Sequence, residues 1–122
     1  MQTIDQALDK LNKSDFRAKF HLNEKEKAYV IEKGMDTIKE HAADFIAKRI
    51  APAEIPNDGF QTPMKGHPVF KAQHACAVCC RGCLHKWYRV QPGIQLNEDQ
   101  QNRLVNLLMA WIEREMMTNN NH

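Results

Sequence analysis

All four cysteines of the chain and three of its six histidines fall within residues 67–85, in the order His67, His74, Cys76, Cys79, Cys80, Cys83 and His85. Thiolate and imidazole are the groups that borderline-soft Zn²⁺ prefers, and a Cys-x-x-Cys pair is the usual way to bring two sulfurs to one tetrahedral ion. Cys80-Arg-Gly-Cys83 has that spacing, with Gly82 free to turn tightly around a metal. The expected chemistry is therefore metal binding, with zinc first and an iron–sulfur cluster as the lesser alternative. The same sulfurs support a second reading, a thiol redox enzyme using Cys79, Cys80 and Cys83.

Helical geometry restricts which donors can share an ion. At about 100° per residue, an unbroken helix would put His67 and His74 within about 20° of each other and leave Cys76, Cys80 and Cys83 on the opposite side. A shared site thus requires a break between His74 and Cys80, and Gly82 lies too late in the chain to make it, so the ion itself would have to hold the break. Cys79 and Cys80 are adjacent, so their side chains diverge in either helix or strand, which disfavours a plain Cys₄ site. The expected ligands are Cys80 and Cys83 with His74, and His67 or Cys79 as the fourth. Were the site catalytic, an open position would take water, and Asp58 or Glu54 from the preceding loop would be the candidate base.

Plainer roles compete with these. Free cysteine is among the most buried residue types, so Cys76, Cys80 and Cys83 could line a packing face. His21, His41 and His85 read as surface or core histidines. Arg81, Lys86 and Arg89 beside Trp87 and Tyr88 could pair phosphate contacts with base stacking, although the net charge of +2 gives little field for a nucleic-acid partner. Covalent haem attachment fails because Leu84 separates Cys83 from His85. A thioredoxin-like site fails for want of a βαβ pattern. Helical peroxidases of the alkylhydroperoxidase D type carry a histidine four residues after a Cys-x-x-Cys cysteine, but here Cys83 and Trp87 follow at that distance.

Helical periodicity supplies the frame for this segment. Ile4, Ala7, Leu8 and Leu11 mark a short amphipathic helix over residues 3–12, read as an N-terminal arm over residues 1–15. Asn23, with Glu24 and Glu26 after it, caps a second helical stretch. An apolar stripe continues from Ala28 to Ile50, either as one helix kinked at Gly34 or as two helices meeting there. Residues 51–66 hold three prolines, two glycines and an Asn-Asp-Gly turn signal, hence a long loop, and loops of that length are more often functional than idle. Pro68 suits the first turn of a helix, and the run from Val69 to Val78 is apolar enough to be buried. Asn97 caps a last helix whose apolar face holds Leu104, Leu107, Leu108, Trp111, Ile112 and Met116. No alternating pattern argues for a strand. The expectation is an all-α, compact single-domain fold over residues 16–118, with a disordered tail over residues 119–122.

Composition agrees with a globular protein, with apolar residues at 43% and charged residues at 26%, and no window approaches the roughly eighteen apolar residues of a membrane span. The opening MQTIDQALDKLNKSDF scatters charges and lacks the apolar core of a secretory signal. A cytoplasmic protein is expected, where disulfides are disfavoured and clustered cysteines read as metal or redox groups.

Several phrases of the sequence carry a resemblance: Phe16 to Phe20, Glu24-Lys-Glu-Lys-Ala-Tyr29, Ala51-Pro-Ala-Glu-Ile-Pro-Asn-Asp-Gly59, Gln61-Thr-Pro-Met64, Gly66-His-Pro-Val-Phe70, Gln73-His-Ala75 and Cys79-Cys-Arg-Gly-Cys83. Together they resemble a small bacterial family, a domain of unknown function with a GHPVF-x2-QHA-x3-CCRGC motif. The resemblance implies a single-domain protein and brings no activity with it. It also implies that the position of Cys76 need not be cysteine, which favours the Cys79 to Cys83 group as the functional one.

Overall fold

The computed structural model describes residues 2–118, which form seven α-helices and one π-helical turn, with no strand among them. The expected tail over residues 119–122 lies outside the described residues. Most boundaries follow from local capping. Helix α1 (Ile4–Leu11) starts at Thr3, α3 (Glu24–Lys33) at Asn23 and α7 (Glu98–Met117) at Asn97. Each cap accepts a bond from the backbone N–H three residues on, and that residue's side chain bonds back to the cap's own N–H. A short helix, α2 (Asp15–Ala18), is capped by the Ser14 hydroxyl.

Two helices meet at Gly34, so the kinked-helix alternative does not occur. Gly34 ends α3 and begins α4 (Met35–Phe45) with φ at 86°, where a side chain would be strained. From α4 the chain widens into a π-helical turn over Ile46–Ile50, closed by the Ala51 N–H on the Ile46 carbonyl at 2.8 Å. Residues 51–67 then run without a regular element to α5 (Pro68–Ala75), followed by α6 (Arg81–Tyr88).

The core lies where α7 crosses α4 and α5, and Ile38, Ile46, Val69, Leu84, Leu108 and Ile112 are wholly excluded from solvent. Burying an aliphatic side chain of this size contributes about 1.5–3 kcal/mol. On the expected apolar face of α7, Leu107, Leu108 and Ile112 are buried, while Leu104, Trp111 and Met116 pack partly buried against them. Helix α1 rests on α7 with Ala7, Leu8 and Leu11 in the same core, and Arg114 reaches back to Asp5 and Asp9.

One buried cation ties the irregular segments together. Arg81, 3% exposed, donates through Nη1 to the carbonyls of Ile50 and Pro52, and through Nη2 to those of Gln91 and Ile94. It thereby satisfies carbonyls that the end of the π-helical turn and the segment before α7 leave free. The candidate role of Arg81 as a phosphate contact is corrected by this placement. The Arg81→Met variant, which keeps length and loses the donors, is expected to lose about 2–4 kcal/mol in urea unfolding. An unchanged midpoint would show that the four bonds carry no net stability.

Candidate metal centre

A break of the kind a shared site would require lies between α5 and α6, and hydrogen bonds within the chain mark it. Helix α5 ends at Cys76, and Ala77 follows in the left-handed region with φ at 59°. Val78 N–H bonds the Gln73 carbonyl at 2.8 Å and Ala77 N–H the His74 carbonyl at 3.4 Å, the paired reversed bonds that commonly stop a helix. Three side chains secure the exit: Gln73 donates to the Val78 carbonyl at 3.1 Å, Thr62 to the Cys79 carbonyl at 2.8 Å, and the Tyr88 hydroxyl to the Cys76 carbonyl. Gly82, expected to supply the turn, is an ordinary helical residue within α6.

Helix α6 opens on sulfur. Cys80 is its N-cap in an extended conformation, and its Sγ accepts the Cys83 N–H at 3.3 Å. Asp58, from the long loop, accepts the Arg81 N–H at 3.0 Å on Oδ1 and the Gly82 N–H at 3.1 Å on Oδ2. The first turn's free donors are thus satisfied by one thiol and one carboxylate. Burial raises the Asp58 pKa, but its bonds from Gln61 and these two amides outweigh it and hold the carboxyl below its ordinary range. Asp58 is thereby a helix cap in this structure. That engagement counts against its expected use as a general base.

These local rules bring three sulfurs together. The Sγ atoms of Cys79, Cys80 and Cys83 all lie within 4.8 Å of one another, and the Cys79 thiol donates to the Cys83 sulfur at 3.5 Å. The expectation that adjacent Cys79 and Cys80 diverge is therefore corrected. Neither residue is inside a helix or strand, so the periodicities that separate neighbouring side chains do not apply. Cys76 takes the packing role, with no exposure and a place in the apolar core.

Sequence reasoning missed the cation of the site. Arg17, from α2 and 8% exposed, donates Nη1 to the His74 carbonyl at 2.6 Å, and lies 3.7 Å from Cys79 Sγ. Its Nη2 lies 3.3 Å from Cys83 Sγ, across 66 residues of sequence. No spacing rule spans that distance. The Cys83 thiol is pushed down to about 5, first by the bond from Cys79 and then by Arg17 against the opposing effect of burial. Cys79 moves the other way because it is the donor of that shared bond and is buried. Burial raises Cys80 as well.

The expected histidine ligands stand apart from the thiols. His74 directs Nε2 at the carbonyls of Thr62 and Pro63, each at 3.1 Å, and stacks on Phe20. His67 caps α5 by accepting the Val69 N–H on Nδ1 at 3.0 Å, so its proton sits on Nε2 and is donated to His41 Nδ1 at 3.0 Å. Neither belongs to the group of donors within reach of one ion. Their side chains left α5 before the break, on faces directed at the long loop and at α4. His85 is exposed, and His21 bonds Glu115 at 3.1 Å. Trp87 and Tyr88 pack against the core.

A family model described as a domain of unknown function (DUF4186) matches residues 5–113. No solved structure matches the chain.

The His67 cap generates a prediction. Burial, then the neighbouring His41, lowers its pKa from 6.5 to about 4, with Glu26 opposing. The folded state therefore disfavours protonated His67, whose Nδ1 could no longer accept the Val69 N–H. Its contribution to stability is fully present above pH 6.5 and is lost as pH falls from there to about 4. Urea unfolding across that window should show this decline, and His67→Asn, which caps without titrating, should flatten it relative to wild type. Parallel curves would assign the decline to other groups.

Proposed function

The chain belongs to the DUF4186 family, a domain of unknown function, and we propose that it binds one transition-metal ion, zinc, on Cys79, Cys80 and Cys83. The observation that carries this is the mutual approach of three sulfurs within 4.8 Å. Thiolates on one tetrahedral zinc, with bonds of about 2.3 Å, lie about 3.8 Å apart, so closure on an ion asks for shifts of about 1 Å or less. A single ion suits this spacing better than an iron–sulfur cluster, whose thiolates sit on separate irons.

Charge supports the same reading. Three thiolates around Zn²⁺ leave one net negative charge, and the Arg17 guanidinium beside Cys79 and Cys83 offsets it. The fourth position falls to water or to a donor from a bound molecule, the arrangement found in reactive zinc sites rather than closed structural ones. Four free cysteines fit a reducing, cytoplasmic setting, in which ligand thiols persist.

Elemental analysis of protein purified without added metal should find about one equivalent of zinc. Cys79→Ser, Cys80→Ser and Cys83→Ser should each lose it, while His74→Ala and Cys76→Ser, outside the cluster, should retain it. Less than about a tenth of an equivalent of any transition metal in the wild type sinks the proposal.

A further inference from the structure

We infer that Cys83 and Cys79 also form a peroxide-reactive pair that closes into a disulfide when no ion occupies the thiols. The inference uses sulfurs of the proposed metal centre but does not require the ion, and three features of geometry carry it. The Cys79 and Cys83 sulfurs are 3.5 Å apart, already in hydrogen-bond contact. Arg17 places Nη2 3.3 Å from Cys83 Sγ, so the sulfur that would carry the negative charge of a thiolate has a fixed cation against it. Access differs in the order such chemistry needs: Cys83 is partly open to solvent, whereas Cys79 is buried behind it. An accessible, cation-paired sulfur with a second thiol in reach is the arrangement of a redox-sensing cysteine beside its resolving partner.

The reaction balances with a hydroperoxide as oxidant. The Cys83 thiolate attacks one peroxide oxygen; an S–O bond forms, the O–O bond breaks, and the departing hydroxide takes a proton from solvent to become water. The Cys79 thiol then attacks the Cys83 sulfenic acid. An S–S bond forms, the S–O bond breaks, and hydroxide leaves as a second water with the proton of Cys79. Two thiols have lost two electrons, and hydrogen peroxide has become two waters. Closure draws the sulfurs to about 2.05 Å, and the movement falls on Cys79, which lies in the irregular link between α5 and α6 rather than inside a helix. Cys80 is less suited as the partner, because its sulfur is held as the cap of α6 by the Cys83 N–H.

The experiment treats the full chain, stripped with a chelator, with a small excess of hydrogen peroxide, then blocks remaining thiols and digests with trypsin. Cleavage after Arg81 and Lys86 isolates Cys83 in the peptide of residues 82–86, apart from the other three cysteines. The expected product has lost two hydrogens and joins that peptide to Cys79, as read from fragment ions. Cys76→Ser should form the same link, Cys83→Ser should form none, and Arg17→Lys should react faster than Arg17→Gln, which should be slower than wild type by about tenfold. Circular dichroism of each variant separates a slow reaction from a failure to fold, and should Arg17→Gln unfold, Arg17→Lys and the mapped link carry the test. Four free thiols after treatment, a link to Cys80, or Cys83 oxidised further without any link each overturn the inference. The metal content of the untreated protein is read on the same preparation. Metal without oxidative closure overturns only this inference, and closure without metal overturns only the zinc reading.

Discussion

The site depends on a stop between two helices. Had α5 continued past Cys76, its sulfurs would have been distributed around a cylinder, and Cys79 and Cys80 would have faced different neighbours. Ala77 in the left-handed region ends the helix at a cost of about 1–2 kcal/mol relative to an ordinary conformation, and neighbouring bonds offset it. These are the reversed bonds to Gln73 and His74, the Thr62 hydroxyl on the Cys79 carbonyl, and the Tyr88 hydroxyl on the Cys76 carbonyl. The long loop therefore acts as a strap across the break. Thr62 holds its exit and Asp58 holds the first turn of the helix that follows.

Two arginines divide the electrostatic work. Arg81 sits at the start of α6 yet points into the molecule, where carbonyls of two connecting segments surround it. Arg17 arrives from a helix only four residues long and meets sulfur as well as a carbonyl. A buried guanidinium without acceptors would be costly, so the arrangement of the irregular backbone and the arrangement of the thiols are both conditions for the burial of these side chains.

Much of the frame was legible because its causes are local. Asn23 and Asn97 announce helix starts through their own side chains, Gly34 announces a junction through its missing Cβ, and the apolar stripe of α7 repeats at the helical period. The position of the break between His74 and Cys80 was legible too, since helical angles alone require it for shared ligation. What held the break was not legible. Alanine is a poor candidate for a left-handed residue, and two of the three side chains that secure the turn, Thr62 and Tyr88, come from outside the segment. The approach of Cys79 to Cys80 escaped because alternation rules assume regular structure. Arg17 escaped because nothing periodic connects it to Cys83, and the histidines misled because ligand type and proximity in sequence say nothing of the direction in which a ring leaves its helix.

The separation of Arg17 from the sulfurs it contacts has a consequence for biosynthesis. The guanidinium leaves the ribosome 66 residues before Cys83, so for much of translation the cation exists without its sulfurs. The thiols in turn emerge before α7, the helix on which α4 and α5 pack. A nascent chain therefore displays these cysteines before the helix that α4 and α5 pack on has been made, and their grouping beside Arg17 is a property of the assembled fold rather than of the motif.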